Sequence, residues 1–68
     1  MMNIYTNTYK VARNLCAKFT CYYDNKVCTI DFSHEALDSV YKFLRKHPII
    51  KRNISVSLDN GIITISDK

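Results

Sequence analysis

The cysteine and histidine side chains are the first candidates for chemistry, because thiolates and imidazoles bind zinc and serve as nucleophiles or bases. The chain has three cysteines and two histidines, Cys16, Cys21, Cys28, His34 and His47. No two of the cysteines are separated by only two residues, so the spacing lacks the pair that is typical of structural zinc sites. Small buried cysteines explain the pattern better, and we expect neither a metal site nor a cofactor.

Catalytic constellations are also hard to assemble from this chain. A nucleophilic Cys28 activated by His34 would need an exposed thiolate in a positively charged cleft, whereas the strand pattern places Cys28 on an inward face. The acidic residues are scattered, and one glycine is too few for a glycine-rich phosphate loop. We therefore expect that the protein is not an enzyme.

The cysteine count also bears on the compartment. An odd number of cysteines and the lack of an export signal after Met1 predict a reducing cytoplasm, which would be a host cytoplasm for a phage protein. There the thiols should stay reduced, and on oxidation Cys21 would pair with Cys28 across a hairpin. No apolar run approaches the roughly 20 residues that cross a bilayer, so we expect no membrane partner.

Half of the ten basic residues lie between positions 42 and 52, at the end of a predicted helix and in the connection after it. They are Lys42, Arg45, Lys46, Lys51 and Arg52. Cations at a helix C-terminus complement the helix dipole, which accounts for the first three without a ligand. Lys51 and Arg52 lie beyond the predicted helix, so the dipole does not account for them. We expect a basic patch that binds phosphate or carboxylate groups.

The outer face of the predicted sheet is the second candidate surface. Alternation places Tyr22, Val27 and Ile62 on it, among threonine and serine side chains. An exposed tyrosine on such a surface favours docking of a protein partner, or stacking of a base with Lys18 and Lys26 nearby. The β-propensity of tyrosine, valine and threonine explains the same residues without a partner.

Two hairpins must position these surfaces. In residues 53–58 the apolar side chains occupy every second position, and Asn60-Gly61 predicts a type I′ turn. This turn pairs Leu58 with Ile63 and Val56 with Ile65. Upstream, a turn at Asp24 and Asn25 pairs Phe19 with Ile30 and Cys21 with Cys28. Residues 23–30 resemble residues 58–65, which a shared turn chemistry explains; duplication of an ancestral hairpin is the alternative.

Helices are predicted before and between the hairpins. Ser33 is a suitable N-cap for a helix that runs to His47, where Pro48 ends it. Helical spacing of apolar residues also predicts a helix over residues 8–17, capped by Thr6 or Asn7. A longer N-terminal strand is the alternative, because no glycine or proline separates this segment from the strand expected near Lys18. Residues 4–5 would add a short strand or cover the core.

The element order predicts an α+β fold. It is a two-layer sandwich in which a four-stranded antiparallel sheet, built from two β-hairpins, carries one or two helices on one face, in the order (α)-β-β-α-β-β. A hydrophobic content of 47% with 24% charged residues is typical of a globular chain, and we expect a single domain over residues 1–68. The predicted core is Val11, Leu15, Phe19, Cys21, Ile30, Phe32, Leu37, Val40, Leu44, Ile54, Val56, Leu58, Ile63 and Ile65.

One stretch of the chain resembles a known family. Residues 47–50, followed by residues 54–56 and 60–65, are similar to the helix-plus-hairpin opening of the BON domain, a module associated with bacterial envelopes and phospholipid. The resemblance covers about half of the chain, and the further helix and strand of that family have no counterpart before Lys68. No function or site residue is carried over from it.

Small size, a net charge of +4 and no catalytic group favour binding by surface contact. We expect a non-catalytic protein-binding module or inhibitor. Richness in asparagine, lysine, isoleucine and tyrosine indicates an AT-rich coding source, which suggests a phage or mobile-element protein that blocks a host defence or nucleic-acid-handling protein. The alternative is direct DNA or RNA binding through the basic residues 42–52. Two sheet edges also leave a homo-oligomer open.

Overall fold

The computed structural model describes residues 6–68 and has the predicted element order with one addition. The elements are α1 Asn7–Leu15, β1 Cys21–Asp24, β2 Val27–Asp31, α2 His34–Lys46, α3 Pro48–Arg52, β3 Ile54–Asp59 and β4 Ile62–Asp67. The addition is the short helix α3. The strand or cover expected at residues 4–5 lies outside the described residues.

The four strands form one antiparallel sheet in the order β1-β2-β4-β3. The hairpins therefore join through their second strands, β2 and β4, and leave β1 and β3 as edges. All buried strand side chains lie on one face of this sheet, and the core that they share includes residues of α1 and α2. They are Cys28, Ile30, Ile54, Ile63 and Ile65. The predicted α+β sandwich is confirmed.

Hydrogen bonds tie the first turn of α1 to the sheet. The Thr6 hydroxyl caps the helix by accepting a hydrogen bond from the Tyr9 N–H, and it lies 2.8 Å from the Tyr23 hydroxyl of β1. At the other end of the chain, the Asp67 carboxylate of β4 accepts a bond from the Thr8 N–H at 2.8 Å and another from the Thr8 hydroxyl. A carboxylate is favourable at this position because the helix dipole is positive there.

The predicted helix over residues 8–17 is confirmed as a helix, but it ends earlier, at Leu15. The N–H groups of Lys18 and Phe19 both donate to the Leu15 carbonyl oxygen, which makes a turn. These two N–H groups are therefore unavailable to a strand ladder. The first strand begins at Cys21 rather than near Lys18 for the same reason.

The helix predicted after Ser33 is confirmed at its start, where the Ser33 hydroxyl accepts a bond from the Ala36 N–H at 3.0 Å. It ends at Lys46, but Pro48 does not lead into an irregular connection. It opens α3 instead, because the proline φ angle suits the first position of a helix and no N–H is needed there.

The predicted register of the second hairpin is confirmed, whereas the predicted register of the first is wrong. Its turn lies one residue later in the chain than predicted. Leu58 pairs with Ile63 as predicted, but Cys21 pairs with Ile30 rather than with Cys28. The turn uses Asn25 and Lys26, both with positive φ, as Asn60 and Gly61 do in the other hairpin. Moving the turn by one residue shifts the pairing by two, so every side chain keeps its predicted face.

Replacing Lys26 with glycine should stabilise the protein by about 0.5–1 kcal/mol. A residue with a side chain adopts the left-handed conformation at a cost of about 1–2 kcal/mol, which glycine avoids. Glycine also has more conformational freedom in the unfolded chain, and this offsets part of the stabilisation. Urea denaturation would measure the change. The reciprocal control is Gly61→Ala, which should cost about 1 kcal/mol although no atom lies within 4 Å of the added Cβ. A destabilised Lys26→Gly variant would contradict the argument.

Most of the predicted core is buried, with one clear exception. Leu58 is 55% exposed, so its assignment to the core is wrong. It lies on the inward face, but at the turn end of the edge strand β3, where a side chain has a neighbouring strand on only one side. The aromatic residues Phe19 and Phe32 are packed against the core but only partly buried.

A disulfide joins Cys16 to Cys21, and Cys28 is a buried free thiol. The predicted pairing of Cys21 with Cys28 is therefore wrong, because the register sets Tyr23 opposite Cys28. The bond also differs from the expectation of three reduced cysteines. It closes the turn between α1 and β1, which contains Lys18 and Phe19.

Within residues 6–68, no helix is long and apolar enough to cross a bilayer. All the helices and strands between residues 6 and 68 except β1 and α3 contribute buried residues to one hydrophobic cluster, and Cys21 and Tyr23 of β1 and Ile50 of α3 pack against it. A single domain over residues 1–68 stays a prediction, since the first five residues are not among those described.

Candidate functional site

The five basic residues predicted to form one patch lie on two consecutive helices, and their action as one binding patch stays a prediction. Lys42 and Lys46 line a cleft beside α1, whereas Arg45 does not. Lys51 and Arg52 occupy the last turn of α3. They lie beyond α2, as predicted, but the unpredicted helix α3 gives them a helix C-terminus whose dipole favours cations without a ligand.

The cleft lies between α2 and the segment that runs from the end of α1 to Phe19. Its volume is about 540 Å³, within the range of roughly 300–1,000 Å³ that is usual for ligand sites. It is lined by Asn14, Leu15, Ala17, Lys18, Phe19, Ser39, Lys42, Phe43, Lys46 and His47. None of these residues is acidic, and three of them are lysines. We call it the basic cleft.

Aromatic rings accompany the ammonium groups in the basic cleft. The rings of Phe43 and His47 are 4.2 Å apart between centroids, with 30° between their planes. Phe19 is a further lining residue and is half-buried against the core. Cations beside flat rings are the combination that recognises phosphate joined to an aromatic base.

Sequence reasoning missed Lys18, Phe19 and Phe43 as members of this site. Lys18 is far from Lys42 in the chain and was noted only near the sheet face. The signal that was available is the spacing of Ser39, Lys42, Phe43 and Lys46, which share one side of a helix. That spacing does not reveal which segment lies opposite.

A shallower depression of about 270 Å³ adjoins the basic cleft and shares Lys18, Phe19, Ser39 and Lys42 with it. Its remaining lining residues, Glu35 and Asp38, are acidic. Positive charge therefore gives way to negative charge along α2, from its end toward its start. This gradient also matches the helix dipole, which favours acidic residues near the start and basic residues near the end.

The outer face of the sheet forms a second, separate surface with Tyr22 on it. Tyr22 pairs with Thr29, Thr29 with Thr64, and Thr64 with Ser57, which makes one uncharged row across all four strands. Tyr22 is 68% exposed. No side chain on this face is buried, since helices cover only the other face. We call this surface the sheet face.

Negative charge borders the sheet face. Asp31 and Asp59 are the cross-strand neighbours of Ile62 on its two sides, and Asp24 lies at the other end of β1. The strands themselves contain no lysine or arginine. Lys18, which was expected near Tyr22 as a partner for a stacked base, lines the basic cleft instead.

Cys28 is buried in the hydrophobic core, and His34 packs against an aromatic ring. Burial raises the pKa of the Cys28 thiol to about 11, so this thiol is protonated at neutral pH and is a poor nucleophile. The His34 ring packs against Phe32, with 5.3 Å between centroids. Among residues 6–68, no three His, Cys, Asp or Glu side chains are grouped so that they could hold a metal ion.

In comparisons with known proteins, no family model, no curated protein and no solved structure matches this chain.

Proposed function

We propose that this protein is a non-catalytic binding module or inhibitor that covers part of a larger protein with its sheet face. One observation carries the proposal: a sheet face left open by the helices presents a 68% exposed tyrosine in an uncharged row that spans all four strands. Tyrosine is enriched at the centres of protein interfaces because it buries a large ring and keeps a polar hydroxyl.

The border of the sheet face indicates the kind of partner. An uncharged centre with carboxylates at its rim complements a protein surface that has an apolar centre and basic residues around it. The same carboxylates repel a phosphate backbone. DNA or RNA binding at the sheet face is therefore the weaker proposal.

Tyr22→Ala should weaken the complex with the partner at least about thirtyfold, since truncation of a tyrosine that dominates an interface typically costs 2 kcal/mol or more. The partner would be captured from nuclease-treated native or host cells and then purified, so that the affinity of each variant can be measured. Tyr41→Ala is the matched control, because Tyr41 is also exposed, by 49%, but lies on α2. It should bind as the unchanged protein does.

Three outcomes would contradict this proposal. Equal weakening by Tyr41→Ala would place the interface elsewhere, and capture that disappears with nuclease would favour nucleic acid. Recovery of the protein alone would indicate a homo-oligomer, for which the edge strand β3 is suited because it contains neither proline nor lysine.

The setting of the proposed inhibitor is the cytoplasm, with a phage or mobile element as its source and a host defence or nucleic-acid-handling protein as its target.

The state of the Cys16–Cys21 pair tests the proposed compartment, because cytoplasmic reductants keep such cysteine pairs open. Alkylation of thiols in intact cells, followed by mass spectrometry, would then find Cys16 and Cys21 both alkylated. A closed Cys16–Cys21 bond in cells would place the protein in an oxidising compartment.

A further inference from the structure

We infer that the basic cleft binds a nucleoside phosphate, with the phosphate on its lysines and the base against its aromatic rings. This site is separate from the sheet face, so a test of one proposal does not decide the other. The ligand would be either a free mononucleotide or one unit of a single-stranded nucleic acid, since both present the same groups.

The three lysines are the first part of the argument. Lys46 lies in the last turn of α2, where the dipole already explains a cation. Lys42 lies before that turn, and Lys18 lies outside any helix, in the turn between α1 and β1. All three are exposed and line one cleft, so their flexible side chains can place three ammonium groups on the same anion. A phosphate is the anion that several ammonium groups commonly hold.

The aromatic rings are the second part, because they distinguish a nucleotide from a simple anion. Phe19 and Phe43 are only partly buried, and His47 is exposed, so ring surface is available at the cleft. Stacking of a base on such rings typically contributes about 1–3 kcal/mol. Lys18 and Phe19 are also held in place, since both of their N–H groups donate to the Leu15 carbonyl oxygen.

The acidic residues beside the basic cleft limit the length of the ligand. Glu35 and Asp38 line the adjoining depression, where they would repel a second phosphate group but could accept hydrogen bonds from ribose hydroxyls. A long strand that followed α2 would have to pass these carboxylates. The geometry therefore favours a mononucleotide over a strand.

Adenosine monophosphate is the probe for this site. Titration followed by amide chemical shifts should move the resonances of the residues around the basic cleft, such as Lys18 and Lys42, and leave those of the sheet face unchanged. Inorganic phosphate and adenosine, tested separately, should each bind at least about tenfold more weakly, because each lacks one of the two recognised parts.

Two double variants with the same change in net charge test whether the site is local. Lys42→Gln with Lys46→Gln removes two cations from the cleft and should weaken binding of adenosine monophosphate at least about tenfold. Arg45→Gln with Lys51→Gln removes two cations outside it and should change the affinity by less than about twofold, since exposed charges at a distance are screened by salt. Circular dichroism would check that both variants fold.

Equal weakening in the two double variants would overturn the inference, because it would show attraction by net charge alone. Shifts that are absent at millimolar nucleotide, or spread over the whole surface, would overturn it as well. A short oligothymidylate separates the two sources. Affinity no higher than that of the mononucleotide assigns the site to a free nucleotide, as expected, whereas much tighter binding in the same cleft assigns it to a single strand.

Discussion

Replacing Ile63 with alanine is expected to lower the free energy of unfolding by about 3–4 kcal/mol. Ile63 is fully buried at the centre of the sheet, where β4 pairs with both β2 and β3. The loss combines the transfer energy of the removed methyl groups with the cavity that they leave. A chain of 68 residues typically has only about 3–10 kcal/mol of stability in total, so this single change should remove a third or more of it.

Ile62→Ala is the matched control for this experiment. Ile62 is the preceding residue in the same strand, but it points to the sheet face and is 39% exposed. Its replacement should cost no more than about 1 kcal/mol, because less apolar surface returns to water and no cavity forms. Urea denaturation followed by circular dichroism measures both. Comparable losses in the two variants would contradict the assignment of inner and outer faces.

Reduction of the Cys16–Cys21 bond is expected to lower the free energy of unfolding by about 2 kcal/mol. This value is the free-energy equivalent of the loop-closure entropy for a sequence separation of 5. For a domain of this size the melting temperature should then fall by about 8–16 °C. The measurement is a thermal melt with and without dithiothreitol. The shift in melting temperature is large for so small a loop because a small domain has a small entropy of unfolding.

Cys16→Ala provides the control for the disulfide. Without reductant it should melt near the reduced form of the unchanged protein, and dithiothreitol should have no further effect on it. Cys16 is exposed, so its replacement leaves no cavity that would confuse the comparison. A melting temperature of the unchanged protein that does not respond to dithiothreitol would show that the bond contributes nothing to stability, or that it is open before reduction.

The internal resemblance of the two hairpins held more information than the turn preferences of single residues. Aligning residues 23–30 with residues 58–65 places Asn25-Lys26 on Asn60-Gly61, which is the turn that the structure has. Lysine rarely adopts positive φ, so residue preference favoured a turn one position earlier. The pairing of Cys21 with Cys28 failed with that turn, because a cross-strand disulfide depends on the exact register.

The basic cleft shows the limit of local patterns more clearly. The charge of residues 42–52 was visible in the sequence, and so was a cation at Lys18. Which of these charges would meet depended on how the turn after α1 packs against α2, and that packing is a contact between segments distant in the chain. The spacing of residue types describes one element at a time. It therefore identified the charged side of α2 but not the turn after α1 that lies opposite it.

The sequence by itself determined all the elements except α3, their order, the inward and outward faces of each strand, and the exposed position of Tyr22. These follow from short-range physics, because capping residues, turn residues and the spacing of apolar side chains act within a few positions of one another. Only the tertiary structure decided the strand order β1-β2-β4-β3, the exposure of Leu58, the disulfide partner of Cys21 and the meeting of Lys18 with Lys42. Each of these depends on which surfaces pack together when the chain buries its apolar area, and that choice is made by the whole core at once.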